Sequence, residues 1–282
     1  MNFHTKPVTY VSNVTIQVSD LQRSLDFYQR VIGFQILSQT SQEADLTADG
    51  QTAILTIVQP EDVTPKQPRT TGLYHFAILL PTREDLASIV PHLVNNGVQL
   101  GSSDHLVSEA LYLPDPDGNG IEIYRDRLPE EWTWHGDSVE MTVDPLNFKD
   151  LLQPENISPW TGLPAGTVMG HIHLHVDDLK TAEAFYVDAL GFEVVTRYGH
   201  QALFIADQKY HHHIGLNVWN GVGAPRPAEN SVGLKHYTLT VANAEKLEDL
   251  AKRLEAKSYK ANRQDSRVIT EDAAGNEIHI LY

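Results

Sequence analysis

Fourteen histidines and no cysteine define the chemistry open to this chain. Thiolate nucleophiles, disulfides, zinc–thiolate sites and iron–sulfur clusters are excluded, so any metal takes nitrogen and oxygen ligands. His75 lies in Gly72-Leu-Tyr-His75. His171, His173 and His175 alternate along His171-Ile-His-Leu-His-Val176, and His211, His212 and His213 are consecutive. The key carboxylate is Glu122. It sits in Ile121-Glu-Ile-Tyr124, directly after the turn sequence Asp115-Pro-Asp-Gly-Asn-Gly120. Alone, that turn is a hairpin signal. A strand glutamate bordered by isoleucines is costly to bury unpaired. It either faces water or pairs with a cation or metal. His105 and Tyr112 precede it in the same stretch, Asp104 to Glu122.

These residues ride on repeated elements. Val18-Ser-Asp-Leu21 through Gly33-Phe34 returns as Val176-Asp-Asp-Leu179 through Gly191-Phe192, with Phe27-Tyr28 matching Phe185-Tyr186. Gly72 to His75 returns as Gly233 to His236, and Asp115 to Ile121 as Asp272 to Ile278. Self-similarity of this kind marks a repeat architecture. It gives four units, near 8–60, 72–125, 169–220 and 233–282. They form two halves, 1–125 and 169–282, joined by a segment, 126–168, that holds Trp132, Trp134 and Trp160 and is expected to pack against the body. Each unit reads as an alternating strand, an amphipathic helix and further strands. In the third unit Leu179, Ala182, Phe185, Tyr186 and Leu190 share a helix face. Asp178 suits the N-cap and Gly191 the helix end. The Phe27/Tyr28 and Phe185/Tyr186 pairs are expected in the core. Units of about 50 residues are too small to close a core alone, so they must pair.

The chain of 282 residues is strongly acidic, with a formal net charge of −16. That field repels nucleic-acid phosphates and anionic lipid, so neither is expected as a partner. No apolar run reaches the length of a membrane span, and the first residues carry no signal-peptide pattern. The expectation is a cytoplasmic protein. A homo-oligomer is left open.

The stretch from His105 through Tyr112 and Asp115-Pro-Asp-Gly118 to Glu122, together with the repeated units, resembles the vicinal oxygen chelate superfamily. Within it the chain looks most like the extradiol ring-cleaving dioxygenases, in particular the bacterial catechol 2,3-dioxygenases of Bacillus type. The resemblance implies an α+β fold of four βαβββ units paired into two incomplete-barrel modules. It implies Fe(II) held by two histidines and one glutamate, and Mn(II) suits the same ligands. The glutamate falls on Glu122 and one histidine on His75, which opens the first strand of the same unit. The other histidine opens the partner unit's first strand. The commonest family arrangement places the metal in the last two units, but there His279 stands where a glutamate is needed. Units one and two would offer Asn13. Units two and three offer His171, completing the triad, so they are expected to form the active module and units one and four a metal-free one. By the same resemblance His105, Tyr112 and His212 are catalytic. His173 is expected to line the pocket. His175 is expected to be structural, and His236 and His279 to be either structural or the relic of a second site. Read as a strand, residues 211–213 send His212 to the face opposite His211 and His213.

The reaction implied is extradiol opening of catechol, or a related small aromatic diol, with O2 to a 2-hydroxymuconic semialdehyde. The alternatives are a glyoxalase-like metal-dependent isomerase or thiol transferase, and a non-catalytic binding protein. The first commonly adds a glutamate on the partner unit's last strand, and residues 211–219 hold no acidic residue. The second tends to lack the triad.

Overall fold

The computed structural model describes residues 2–282. The first unit consists of strand β1 (Tyr10–Gln17), helix α1 (Leu21–Phe27) and strands β2 (Gln35–Gln39), β3 (Glu43–Thr47) and β4 (Ala53–Val58). The second has β5 (Gly72–Leu79), α2 (Arg83–Asn95), β6 (Gly101–Asp104), β7 (Ser108–Pro114) and β8 (Gly120–Asp126). The connection carries a small hairpin, β9 (Trp134–His135) and β10 (Ser138–Val139), and a turn of helix, α3 (Phe148–Leu151). The third unit has β11 (Val168–His175), α4 (Leu179–Glu183), β12 (Glu193–Tyr198), β13 (Ala202–Ala206) and β14 (Ile214–Asn217). The fourth has β15 (Gly233–Thr240), α5 (Ala244–Ala256), β16 (Asn262–Gln264), β17 (Arg267–Glu271) and β18 (Glu277–Leu281). Among the described residues, no helix is long and apolar enough to cross a membrane.

Two eight-stranded sheets result. One runs β12-β13-β14-β11-β5-β8-β7-β6 and so joins units three and two. The other runs β16-β17-β18-β15-β1-β4-β3-β2 and joins units four and one. In each, the first strands of two units meet antiparallel at the centre, and each lies parallel to the last strand of its own unit. The pairing drawn from the triad is therefore the pairing in the fold.

Strand alternation divides the labour. On β5, Phe76 and Ile78 enter the main core, while His75 and Ala77 turn the other way. On β8, Ile121 and Ile123 are core, while Glu122 and Tyr124 lie on the opposite face. Apolar burial thus positions polar side chains on the inner face of the sheet.

The helices start as expected: the Asp178 side chain accepts from the Thr181 backbone. They also stop at glycines, Gly33 (φ 102°) and Gly191 (φ 84°), but widen before doing so. Helices α1 and α4 run on into wider π turns, Tyr28–Ile32 and Ala184–Ala189. Each π turn contains the tyrosine whose hydroxyl leaves its own unit. Tyr28 donates to Asp115 at 3.0 Å, and Tyr186 to Asp272 at 2.8 Å. The Asp115-to-Gly120 turn is therefore also a buried tether between sheets. Asp115 accepts from the Asn119 and Asp117 backbones and from the Asn119 side chain as well.

Residues 211–213 are a correction. The strand begins only at Ile214. The three histidines precede it in irregular backbone, so strict alternation does not apply to them.

Candidate metal centre and its cavity

Three ligand atoms converge on the inner face of the β5/β11 sheet. His75 comes from β5, Glu122 from the neighbouring β8 and His171 from β11 on the other side of β5. Ala77 sits between the last two, paired with His171 on one side and Glu122 on the other. Its small side chain leaves the two longer ones room to meet above it. His75 Nε2 lies 3.0 Å from Glu122 Oε2, and His171 Nε2 lies 3.2 Å from the same oxygen. All three residues are buried.

This donor set fits a divalent transition metal. Burial holds the His171 imidazole down to about pKa 4, against the pull of Glu122, so it is neutral at pH 7 with a lone pair to give. Burial pushes the Glu122 carboxyl up, but His171 and His75 outweigh it and hold the group well below its usual range. Although close to the carboxylate, His75 Nε2 is buried with no well-aligned hydrogen-bond partner. Two imidazoles and one carboxylate leave part of an octahedron open for other molecules.

Beside the triad, lined by His75 and Glu122 but not by His171, lies a cavity of about 620 Å³. His75, Glu122, Tyr112, His105 and His212 form its polar side, and Phe204, Trp219 and Met141 its apolar side. This size and mixed lining suit a small ring with a polar edge. A larger cavity, about 950 Å³, opens elsewhere along Lys66, Arg69 and Arg226 and contains none of the triad.

His105 and Tyr112 form one unit. His105 Nδ1 donates to the Thr142 carbonyl at 2.6 Å, so in the neutral ring Nε2 accepts from the Tyr112 hydroxyl, also at 2.6 Å. Burial, reinforced by Glu122, pushes the Tyr112 phenol well above its usual range, so it stays protonated. His212 packs at a tilt against His171, the triad histidine of β11, with ring centroids 4.2 Å apart. Burial, with the neighbouring histidines, keeps it well below its usual pKa and neutral.

Sequence reasoning missed what orients His212. The Asp126 carboxylate accepts from His211 Nε2 at 2.7 Å. With its proton on Nε2, the His211 ring offers Nδ1 as the acceptor, 2.8 Å from His212 Nδ1. His212 therefore donates from Nδ1 and keeps its lone pair on Nε2. His211 is not directed away from His212, as strand alternation had it. The connecting segment was also underestimated: it supplies Met141 to the cavity and the Thr142 carbonyl to His105.

The remaining histidines separate clearly. His173 lines the cavity and packs against Gly215. His175 bonds Asn217 at 2.7 Å. His213 accepts from the Asp207 backbone and donates to the Phe3 carbonyl. His236 and His279 lie in the other sheet, stacked on each other.

The central strands are related by a local two-fold axis, since His173 pairs with His75 and His171 with Ala77. That axis carries His75 onto His171 and Glu122 onto Gly215. A Cβ at Gly215 would lie 2.8 Å from the His173 ring, so no second glutamate fits there without moving it.

Paired βαβββ units with a buried histidine–glutamate centre place this chain in a known class. It belongs to the Glyoxalase/Bleomycin resistance protein/Dioxygenase superfamily, whose pattern matches residues 10–123 and 168–280. Among its relatives, Catechol-2,3-dioxygenase of Bacillus subtilis (strain 168) is 45% identical over 254 residues, covering 89% of each chain. Biphenyl-2,3-diol 1,2-dioxygenase 2 of Rhodococcus globerulus is 26% identical over 176 residues, covering 60% of this chain and 90% of its own. A solved Bacillus subtilis structure shares the fold with a TM-score of 0.68 at 13% identity, covering 98% of this chain and 86% of that one.

Proposed function

We propose that the chain is an extradiol ring-cleaving dioxygenase whose substrate is catechol or a related small aromatic diol. His75, Glu122 and His171 would hold Fe(II). The observation that carries this reading is the convergence of those three buried side chains beside a cavity lined by His75, Glu122, His105, Tyr112 and His212. The 45% identity to a catechol-2,3-dioxygenase supports it independently. Bound iron supplies open coordination positions and a redox path between a diol and dioxygen. Overall, catechol and O2 combine into a 2-hydroxymuconic semialdehyde. Both oxygen atoms enter the product, and the carbon–carbon bond beside the diol breaks.

The protein's part is positioning and proton handling. His212 Nε2, with its lone pair free, takes a proton from a diol hydroxyl. Tyr112 gives its one hydroxyl proton to His105, which the Thr142 carbonyl anchors, and so presents its oxygen as an acceptor for a diol hydroxyl. The apolar wall of Phe204 and Trp219 packs on the ring and limits water. The isomerase alternative needs a further carboxylate where Gly215 stands.

Oxygen uptake after anaerobic loading with Fe(II) tests this reading. One O2 consumed per catechol, with a yellow ring-opened product, is expected. No uptake by protein shown to hold iron, across a panel of catechols, would overturn it.

A further inference from the structure

We propose that the second sheet carries its own divalent-metal site, formed by His236, His279 and Glu277. It does not depend on the proposed activity. His236 lies on β15 at the repeat position of His75, and His279 lies on β18 at the position of Glu122. The position of His171 is taken by Asn13, so the triad of the first sheet cannot be rebuilt. The third donor comes instead from Glu277, two residues along β18 from His279 and on the same strand face.

The donor atoms are close together. His279 Nε2 lies 3.0 Å from Glu277 Oε1, and His236 Nδ1 lies 3.9 Å from the same oxygen. The imidazoles stack with ring centroids 3.8 Å apart and planes 15° from parallel. His236 Nδ1 is buried and has no hydrogen-bond partner.

A hydrogen-bond chain fixes where the His236 lone pair points. At its far end Asp45 can only accept, and it takes the Thr56 hydroxyl proton at 2.8 Å. The Thr56 oxygen accepts from Asn13 Nδ2 at 3.3 Å, and Asn13 Oδ1 accepts from the Thr15 hydroxyl at 3.4 Å. The Thr15 oxygen is then left to accept from His236 Nε2, 3.1 Å away. The proton sits on Nε2 and the lone pair on Nδ1, the nitrogen 3.9 Å from Glu277 Oε1. An outer hydrogen bond that fixes the tautomer is what a metal-ligating histidine requires. Glu277 borders the 950 Å³ cavity, which gives an ion a way in.

Two imidazoles and one carboxylate select a borderline transition ion such as Zn(II), Co(II) or Ni(II) over Mg(II) or Ca(II). Such an ion would clip the last strand, β18, to its neighbour β15.

Co(II) titration of the metal-stripped full chain, followed by calorimetry and visible absorption, provides the test. Wild type should take up two equivalents. His279→Ala and the solvent-facing Glu277→Gln should each take up one. Glu122→Ala should also take up one, and Glu122→Ala combined with Glu277→Gln none, so failure of either centre is read separately. Thr15→Val should weaken the second equivalent by about 10-fold or more. Saturation of wild type at one equivalent that Glu122→Ala removes would overturn the site. So would a second equivalent that survives both His279→Ala and Glu277→Gln.

Discussion

His211 Nε2 donates to Asp126 Oδ1 over 2.7 Å, and that contact determines which nitrogen of His212 carries a lone pair. Asp126→Asn retains the size but presents an amide that can reverse the proton order. Metal content should stay at the wild-type level while kcat falls by about 10- to 100-fold. Metal analysis beside steady-state kinetics reads both quantities, and unchanged kcat would remove the relay from His212.

Glu122→Ala removes the only carboxylate of the centre. Affinity for Fe(II) at the active cavity should drop by at least about 100-fold, with turnover lost in parallel. Inductively coupled plasma analysis after gel filtration is the check. A variant that still held its iron there and still consumed oxygen would take Glu122 out of the ligand set.

Acid should weaken the metal-free protein in a defined window. Free histidine titrates near 6.5, whereas His171 is held to about 4 by burial, and His173, His212 and His213 also lie well below 6.5 for the same reason. Between those values the unfolded chain binds protons that the folded chain refuses. Stability therefore rises with pH across the window and is lost as pH falls from about 6.5 toward 4. Each such histidine adds up to about 1.4 kcal/mol per pH unit. Urea midpoints measured from pH 8 to pH 4.5 should be flat at the alkaline end and fall below about 6.5. A flat profile throughout would contradict the buried neutral histidines.

Gly215→Ala places a methyl group 2.8 Å from the His173 ring. Overpacking of this kind costs about 1–3 kcal/mol, and the displaced ring enters the cavity. Both the thermal midpoint and kcat/KM should fall. An unchanged KM and midpoint would show that the ring yields freely.

Tyr28→Phe leaves buried Asp115 one donor short while the ring still fills its place. The expected cost is about 1–2 kcal/mol, read from urea unfolding, with the metal content unaltered. A neutral result would mean that Asn119 and the turn backbone alone satisfy the carboxylate.

The repeat was legible because it depends on local spacing, and the three candidate ligands because the stretch from His105 to Glu122 resembles a known family. Alternation marked the inner face of β5, β8 and β11, and the distribution of His75, Glu122 and His171 among units implied which strands meet. The π turns were not legible, because Tyr28 and Tyr186 read as ordinary members of an apolar helix face; only the distant Asp115 and Asp272 reveal where their hydroxyls go. Asp126 and His211 were missed for the same reason. The signal lay 85 residues apart in sequence, and nothing in either neighbourhood singles out the partner. The irregular backbone before β14 could not be told from strand, since three consecutive histidines fit either.

Because each sheet is joined between halves, synthesis on the ribosome imposes an order. When the chain has grown past β8, His75 and Glu122 exist but the free edge of β5 has no neighbour, and an open edge invites association with other chains. Metal can be captured by the full triad only after β11 emerges and covers that edge. The sheet of units two and three is complete once β14 has been made, while β1 still waits for β15, a contact spanning 221 residues from Thr15 to His236. The half that holds His75, Glu122 and His171 is thus finished before its partner, and a chain interrupted between β14 and β15 would carry the assembled triad beside an unsealed β1.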